Sequence, residues 1–196
     1  MRSDLRSRCR RPFGIVLPWL LVVTPACGRA PEVEYRPAAT VREVMQAIVD
    51  PAADAIWAAV EIEATMEGTV YKRPETDEEW HALGRHALTL MEAGNLLLMP
   101  GRRVAKPGER AGDPRIDRHP DEIEAQVARD RSLWASHART LQAAADRTLQ
   151  AIAARDVTAL VDAGEALDLA CERCHQTYWY RESPQPVQDP PPRPER

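Results

Sequence analysis

Near the end of a 196-residue chain stands the run Cys171-Glu172-Arg173-Cys174-His175. C-x-x-C-H is the spacing at which two thiols form thioethers to a haem while the next imidazole ligates its iron. On a helix the two cysteines fall on one face, a turn apart, and His175 lies one residue beyond, able to point at the ring centre. The position of the motif constrains the fold as much as its residues do. Only 21 residues follow His175 and none is Met or His, so any protein ligand on the far side of the iron has to come from upstream. Two other chemistries use C-x-x-C. A dithiol redox pair should open a helix after a strand, and no convincing strand-rich stretch precedes Cys171. A zinc site needs a fourth ligand, and with no second cysteine pair that ligand would be a remote histidine.

The upstream chain reads as helical. It is rich in Ala, Leu, Glu and Arg with a single Phe, and its length suits one domain with a core that needs no disulfides. Structure is expected from about Thr40, where Val41, Val44, Met45, Ile48, Ala52, Ile56 and Val60 form one apolar stripe. Pro51 should kink this segment or restart it with Asp50 as cap. Thr76 and Glu79 form a capping box for a second helix, whose buried face is Trp80, Leu83, Ala87, Leu90, Met91, Gly94 and Leu98. Residues 100–119 are rich in Pro, Gly and Arg and predict a long surface loop. Pro120 begins a third helix reaching Ile152, and Asp156 caps a fourth carrying Leu160, Ala163, Leu167, Ala170, Cys174 and Tyr178. The expectation is an all-α, antiparallel four-helix bundle over residues 40–182, with a covalently bound haem on the C-terminal helix. After Ser183 the chain is a proline-rich tail with no apolar face, expected to be disordered.

The first 26 residues differ in kind. Five arginines precede the apolar run Pro12 to Ala26, which predicts a secretory signal rather than a membrane span. The sequence Val23-Thr24-Pro25-Ala26-Cys27-Gly28 resembles a bacterial lipoprotein cleavage site, making Cys27 a candidate for lipidation; simple cleavage nearby or an uncleaved anchor are the alternatives. Residues 27–39 then read as a tether. Export and covalent haem attachment agree with one another, because bacteria mature such haems outside the inner membrane, so the expected location is the periplasm. Removing residues 1–26 takes away five Arg and one Asp, leaving 21 basic against 29 acidic residues, a formal charge of −8 in place of −4. Such a chain does not suit nucleic acid, whereas a basic patch on a periplasmic or membrane redox protein would be steered towards it.

Helices first and C-x-x-C-H in the last helix, followed by Tyr178, resembles the class II cytochromes c, cytochrome c prime and its low-spin relatives of the c-556 type. The resemblance covers roughly Thr40 to Arg181, with Pro51, the loop at 100–119 and the tail as departures. It implies a single haem c, with His175 on the proximal side and a first-helix residue on the distal side, which here matches Met45. It also implies a homodimer. Read without it, Met45 is as well explained by core packing. Met66 lies beyond reach, Met91 and Met99 are weaker candidates, and His81, His86, His119 and His137 read as solvated. Arg42, nearly one turn from Met45, is a candidate partner for a haem propionate or a solvated arginine. Trp57, Trp80, Trp134 and Trp179 are expected to pack the bundle or cover the haem edge. With Met45 as ligand the expected function is one-electron transfer, not enzymatic catalysis. With Met45 only packed nearby, it is a five-coordinate binder of NO or CO. A peroxidase ranks last, because the first-helix stripe carries no acid or base for an open iron.

Overall fold

The computed structural model describes residues 35–65 and 68–181. The signal segment, Cys27, Met66 and the tail from Ser183 lie outside the described residues. Within them the chain is predominantly helical.

Thr40 begins the first helix. Its hydroxyl accepts from the Glu43 N–H at 3.2 Å, and the Glu43 carboxylate accepts from the Thr40 N–H at 3.0 Å, so two donors that a helix start leaves open are satisfied. Helix α1 (Val41–Val44) passes without interruption into a π-helical turn (Met45–Val49), then into α2 (Asp50–Trp57) and a single 3-10 turn (Ala58–Val60). The sequence reading expected a kink or a restart with Asp50 as cap and Pro51 at the first helical position; α2 does begin here with Pro51 in its first turn, but Asp50 is not its cap. Asp50 is helical, its side chain caps nothing, and its N–H donates to the carbonyl of Met45, five residues back. A proline ring in a regular helix collides with the carbonyl four residues before it. Widening the preceding turn by one residue relieves that collision and puts Pro51 in the first turn of α2.

A short antiparallel hairpin follows, β1 (Ile62–Thr65) and β2 (Gly68–Tyr71), with Ile62 opposite Tyr71 and Thr65 opposite Gly68. The sequence reading found no strand here. The segment is nevertheless rich in β-branched and aromatic residues around Gly68, and four-residue strands are too short to display a period.

Helix α3 (Asp77–Leu98) opens with the expected Thr76–Glu79 capping box. The expected third helix is two: α4 (Pro120–Arg129) and α5 (Arg131–Ala154). The break falls at Asp130, which leaves helical geometry at φ −135°, ψ 80° and accepts from the Leu133 N–H at 2.9 Å, offering the backbone a cap in place of continuation. Helix α6 (Val157–Tyr178) is capped by Asp156, as read. Helix α5 packs between α3 and α6, and α2 touches both α3 and α6. Ile56, Leu90, Leu160, Leu167 and Val44 are the largest apolar side chains fully enclosed by this arrangement. Among the described residues no helix is long and apolar enough to cross a membrane.

The connection between α3 and α4 is less superficial than its composition suggests, since Val104 and Ala105 are buried. The carbonyls of Arg103 and Val104 accept from the N–H groups of Val41 and Arg42 at 2.9 and 3.0 Å, completing the start of α1. Its far end pairs with the chain leaving α6: Arg118 donates to the Trp179 carbonyl at 2.8 Å and Arg181 to the Ile116 carbonyl at 2.7 Å. One loop therefore holds both the segment leading into Met45 and the segment just past His175.

Candidate functional site

Helical segments at the two ends of the described chain enclose a cavity of about 410 Å³. Met45 comes to it from the π-helical turn, and Cys171, Cys174 and His175 come from α6. Its apolar lining is Val49, Ala53 and Trp57 from the first helical run, Leu97 from α3, and Trp134, Ala138 and Leu141 from α5. Both indoles are fixed by hydrogen bonds directed elsewhere, Trp57 Nε1–H to the Gly164 carbonyl at 3.0 Å and Trp134 Nε1–H to the Leu97 carbonyl at 2.9 Å. They present ring surface to the cavity, not a donor.

The two thiols are half-buried, and the scarcity of water raises their pKa. Burial, reinforced by Asp168 and Asp50, pushes Cys171 up to about 11, and burial with the neighbouring Cys171 pushes Cys174 up to about 12. A disulfide-exchanging pair is tuned the other way, towards the thiolate. The motif also closes a helix instead of opening one after a strand. Among the described residues no three His, Cys, Asp or Glu side chains come together as a metal-binding group.

His175 lies at the last turn of α6, where the N–H groups of Trp179 and Tyr180 both donate to its carbonyl, at 2.7 and 3.0 Å. The Trp179 and Tyr180 rings stand 6.4 and 6.0 Å from the imidazole. A small void of about 20 Å³ lies beside Met45, Cys174, His175 and Tyr178. The Tyr178 ring meets Trp134 edge-on at 5.2 Å, and its hydroxyl is buried without a hydrogen-bond partner among the described residues. Burial, with Cys174 and Asp130 adding to it, pushes that hydroxyl up to about 12.

The other candidates sort by position. Arg42 does not line the cavity. Its guanidinium donates to the Arg110 carbonyl at 3.0 Å, pairs with Glu109 at 3.8 Å and stacks over Trp179 at 5.6 Å, so it braces the α3–α4 loop. Met91, Met99, His81, His86 and His119 are also absent from the lining. The Met99 sulfur accepts from Arg102 at 3.1 Å, and the His119 ring caps α4.

His137 departs from its solvated reading: it is half-buried in the cavity wall, 3.2 Å from the Thr177 hydroxyl, and burial lowers its pKa. The same hydroxyl lies 2.8 Å from the Arg173 carbonyl, to which it donates, so Thr177 ties the His137 ring to the α6 backbone. Asp50, Asp54, Asp168 and Glu172 also line the cavity, and the sequence reading missed all four. Partial desolvation at the mouth pushes the Asp50 carboxyl up, against an opposing pull from His175. The available signal was the four-residue step Met45, Val49, Ala53, Trp57, which places Asp50 and Asp54 beside that face.

No protein-family model, curated protein or solved structure matches this chain.

Proposed function

We propose that the chain is a c-type cytochrome of the periplasm, built as a four-helix bundle, that carries single electrons. Cys171 and Cys174 would hold one haem by thioethers, and His175 and Met45 would ligate its iron. The observation that carries the reading is the single cavity onto which Met45, Cys171, Cys174 and His175 all open, although 126 residues separate Met45 from Cys171. Its size and largely apolar wall support a flat apolar group, and its acidic edge leaves an opening to solvent.

A haem held there supplies one-electron chemistry at iron. The chain's own contribution is fourfold. The thiols tether. His175 is held at a helix end whose carbonyl is doubly bonded, which limits how far its backbone can move. Trp57, Trp134 and Leu141 exclude water from the cavity, and Met45 offers a thioether, which favours the reduced state of an iron it ligates. The bundle's pairing with a second copy and a lipid anchor at Cys27 belong to the same proposal and rest on sequence alone.

A second reading, a five-coordinate binder of NO or CO, is favoured by the void beside Met45 and His175, whose 20 Å³ suits one very small molecule. Optical spectra of the haem-loaded protein and of Met45→Ala separate the two. Electron transfer predicts a low-spin ferric spectrum with a methionine-to-iron charge-transfer band that the substitution removes. A high-spin spectrum, shifted promptly by carbon monoxide and indifferent to the substitution, selects the gas binder.

A further inference from the structure

Outside the cavity, the end of the first helical run and the first half of α6 enclose an open groove of about 530 Å³. Trp57, Val60 and Leu169 supply its apolar surface, and Glu165 and Asp168 flank it. Leu169 is 51 % exposed, a large apolar side chain left in water. The two helical segments that line it carry charge of one sign. Helix α2 carries Asp50 and Asp54, α6 carries Asp162, Glu165, Asp168 and Glu172, and no Lys or Arg occurs in α2 or between Val157 and Glu172. None of these six carboxylates forms an ion pair among the described residues. Groove and cavity share a wall, because Trp57 and Asp168 line both. The shared indole is locked in place by its bond to Gly164.

We propose that this groove is the docking face for a redox protein that presents a lysine- or arginine-rich rim around an apolar contact point. Charge complementarity selects that occupant. A second copy of the chain would set the same unpaired carboxylates against each other, and the segment after Arg181 has three acids against two arginines and so brings no net positive charge. Docking there leaves one indole between the partner and the cavity. A haem held there by His175 would supply the one-electron chemistry, the single electron it gives up being taken by the partner's oxidised centre. The proposal rests on the haem reading above.

The test uses the holoprotein and mitochondrial cytochrome c, a small lysine-rich redox protein, as probe. Affinity is read by titration calorimetry and electron exchange by stopped-flow mixing, each at low and high salt. Glu165→Lys should weaken binding and slow the second-order rate by about fivefold or more at low salt, a difference that closes as salt is added. Leu169→Ser should weaken binding at both salt concentrations. Glu92→Lys, the same charge reversal at an exposed site on α3, should change either quantity less than about twofold. Equal losses in Glu165→Lys and Glu92→Lys would overturn the proposal by reducing it to net charge. Concentration-dependent self-association abolished by Leu169→Ser would overturn it in favour of a second copy. If the chain carries no haem the functional reading falls, and calorimetry with the same three variants still decides whether the groove binds the basic probe.

Discussion

Replacing Pro51 by Ala asks what holds Met45 in the cavity wall. A proline inside a regular helix costs about 3 kcal/mol relative to alanine, through the lost hydrogen bond and the collision with the preceding turn. If that cost were still present here, alanine would recover most of it. The π-helical turn at Met45–Val49 has already placed Pro51 in the first turn of α2, where a missing N–H matters little. Removing the turn would be expensive on the packing side. Deleting its extra residue rotates everything downstream by about 100°, and Val49 and Ile56, 3 % and 0 % exposed, would swing towards solvent. Exposing them costs about 1.5–3 kcal/mol each, a sum that matches or exceeds the roughly 3 kcal/mol a regular helix could return. Packing therefore keeps the bulge when the proline is gone. Urea denaturation of Pro51→Ala should give a stability within about 1 kcal/mol of the parent, or about 2–4 °C in Tm, with an unchanged Soret spectrum. A gain approaching 3 kcal/mol, or a changed spectrum, would refute the reasoning by showing that proline alone imposed the turn and the setting of Met45.

Two further outcomes follow from the start of α1. Thr40→Ala removes a cap that accepts from the Glu43 N–H, and should cost about 1–2 kcal/mol in urea denaturation, with Thr40→Ser retaining most of it. Glu43 is held down to about 2, first by the hydrogen bond from Lys106 and then by the Thr40 backbone. Because its folded pKa lies below the ordinary 4.5, its contribution is complete above that value and is lost as pH falls from about 4.5 towards 2. Acid titration of stability should be visibly flatter over that window in Glu43→Gln, and an unaltered acid limb would contradict the assignment.

The helices were legible in the sequence where a local signal marks them. Thr76 with Glu79, Pro120 and Asp156 each begin a helix where their chemistry puts the start; the apolar step of α6 matches its buried face except at half-buried Cys174, while on α3 Ala93 and Leu97 are buried where the reading had Met91 and Leu98. The first helix was legible in existence and, apart from one turn, in register. Val41, Val44, Ala52 and Ile56 of the expected stripe are buried, but Val49 is buried where the stripe runs through Ile48 and Ala53 joins Ala52, because the added residue in the π-helical turn widens the set of side chains that face inward. Asp130 breaks the expected third helix because a cap competes locally with continuation, and apolar periodicity on either side does not register it.

Of the candidate site, Cys171, Cys174 and His175 were legible because their chemistry is local, and Met45 because the family resemblance supplied a position. Arg42 and His137 exchanged expectations for a tertiary reason. Nearness to Met45 along the chain says nothing of Glu109, which engages Arg42, and polar neighbours in sequence do not reveal that His137 faces Thr177 across two helices.

The central claim, a haem held by Cys171 and Cys174, is tested most directly by the intact mass of the protein after extraction with acidified organic solvent. The chain is produced in bacteria through its own leading segment with haem-maturation proteins present, beside a Cys171→Ser, Cys174→Ser variant. The account predicts one haem per chain that survives extraction in the parent and is absent from the variant. A parent that loses its haem to the solvent, or never carries one, would contradict it.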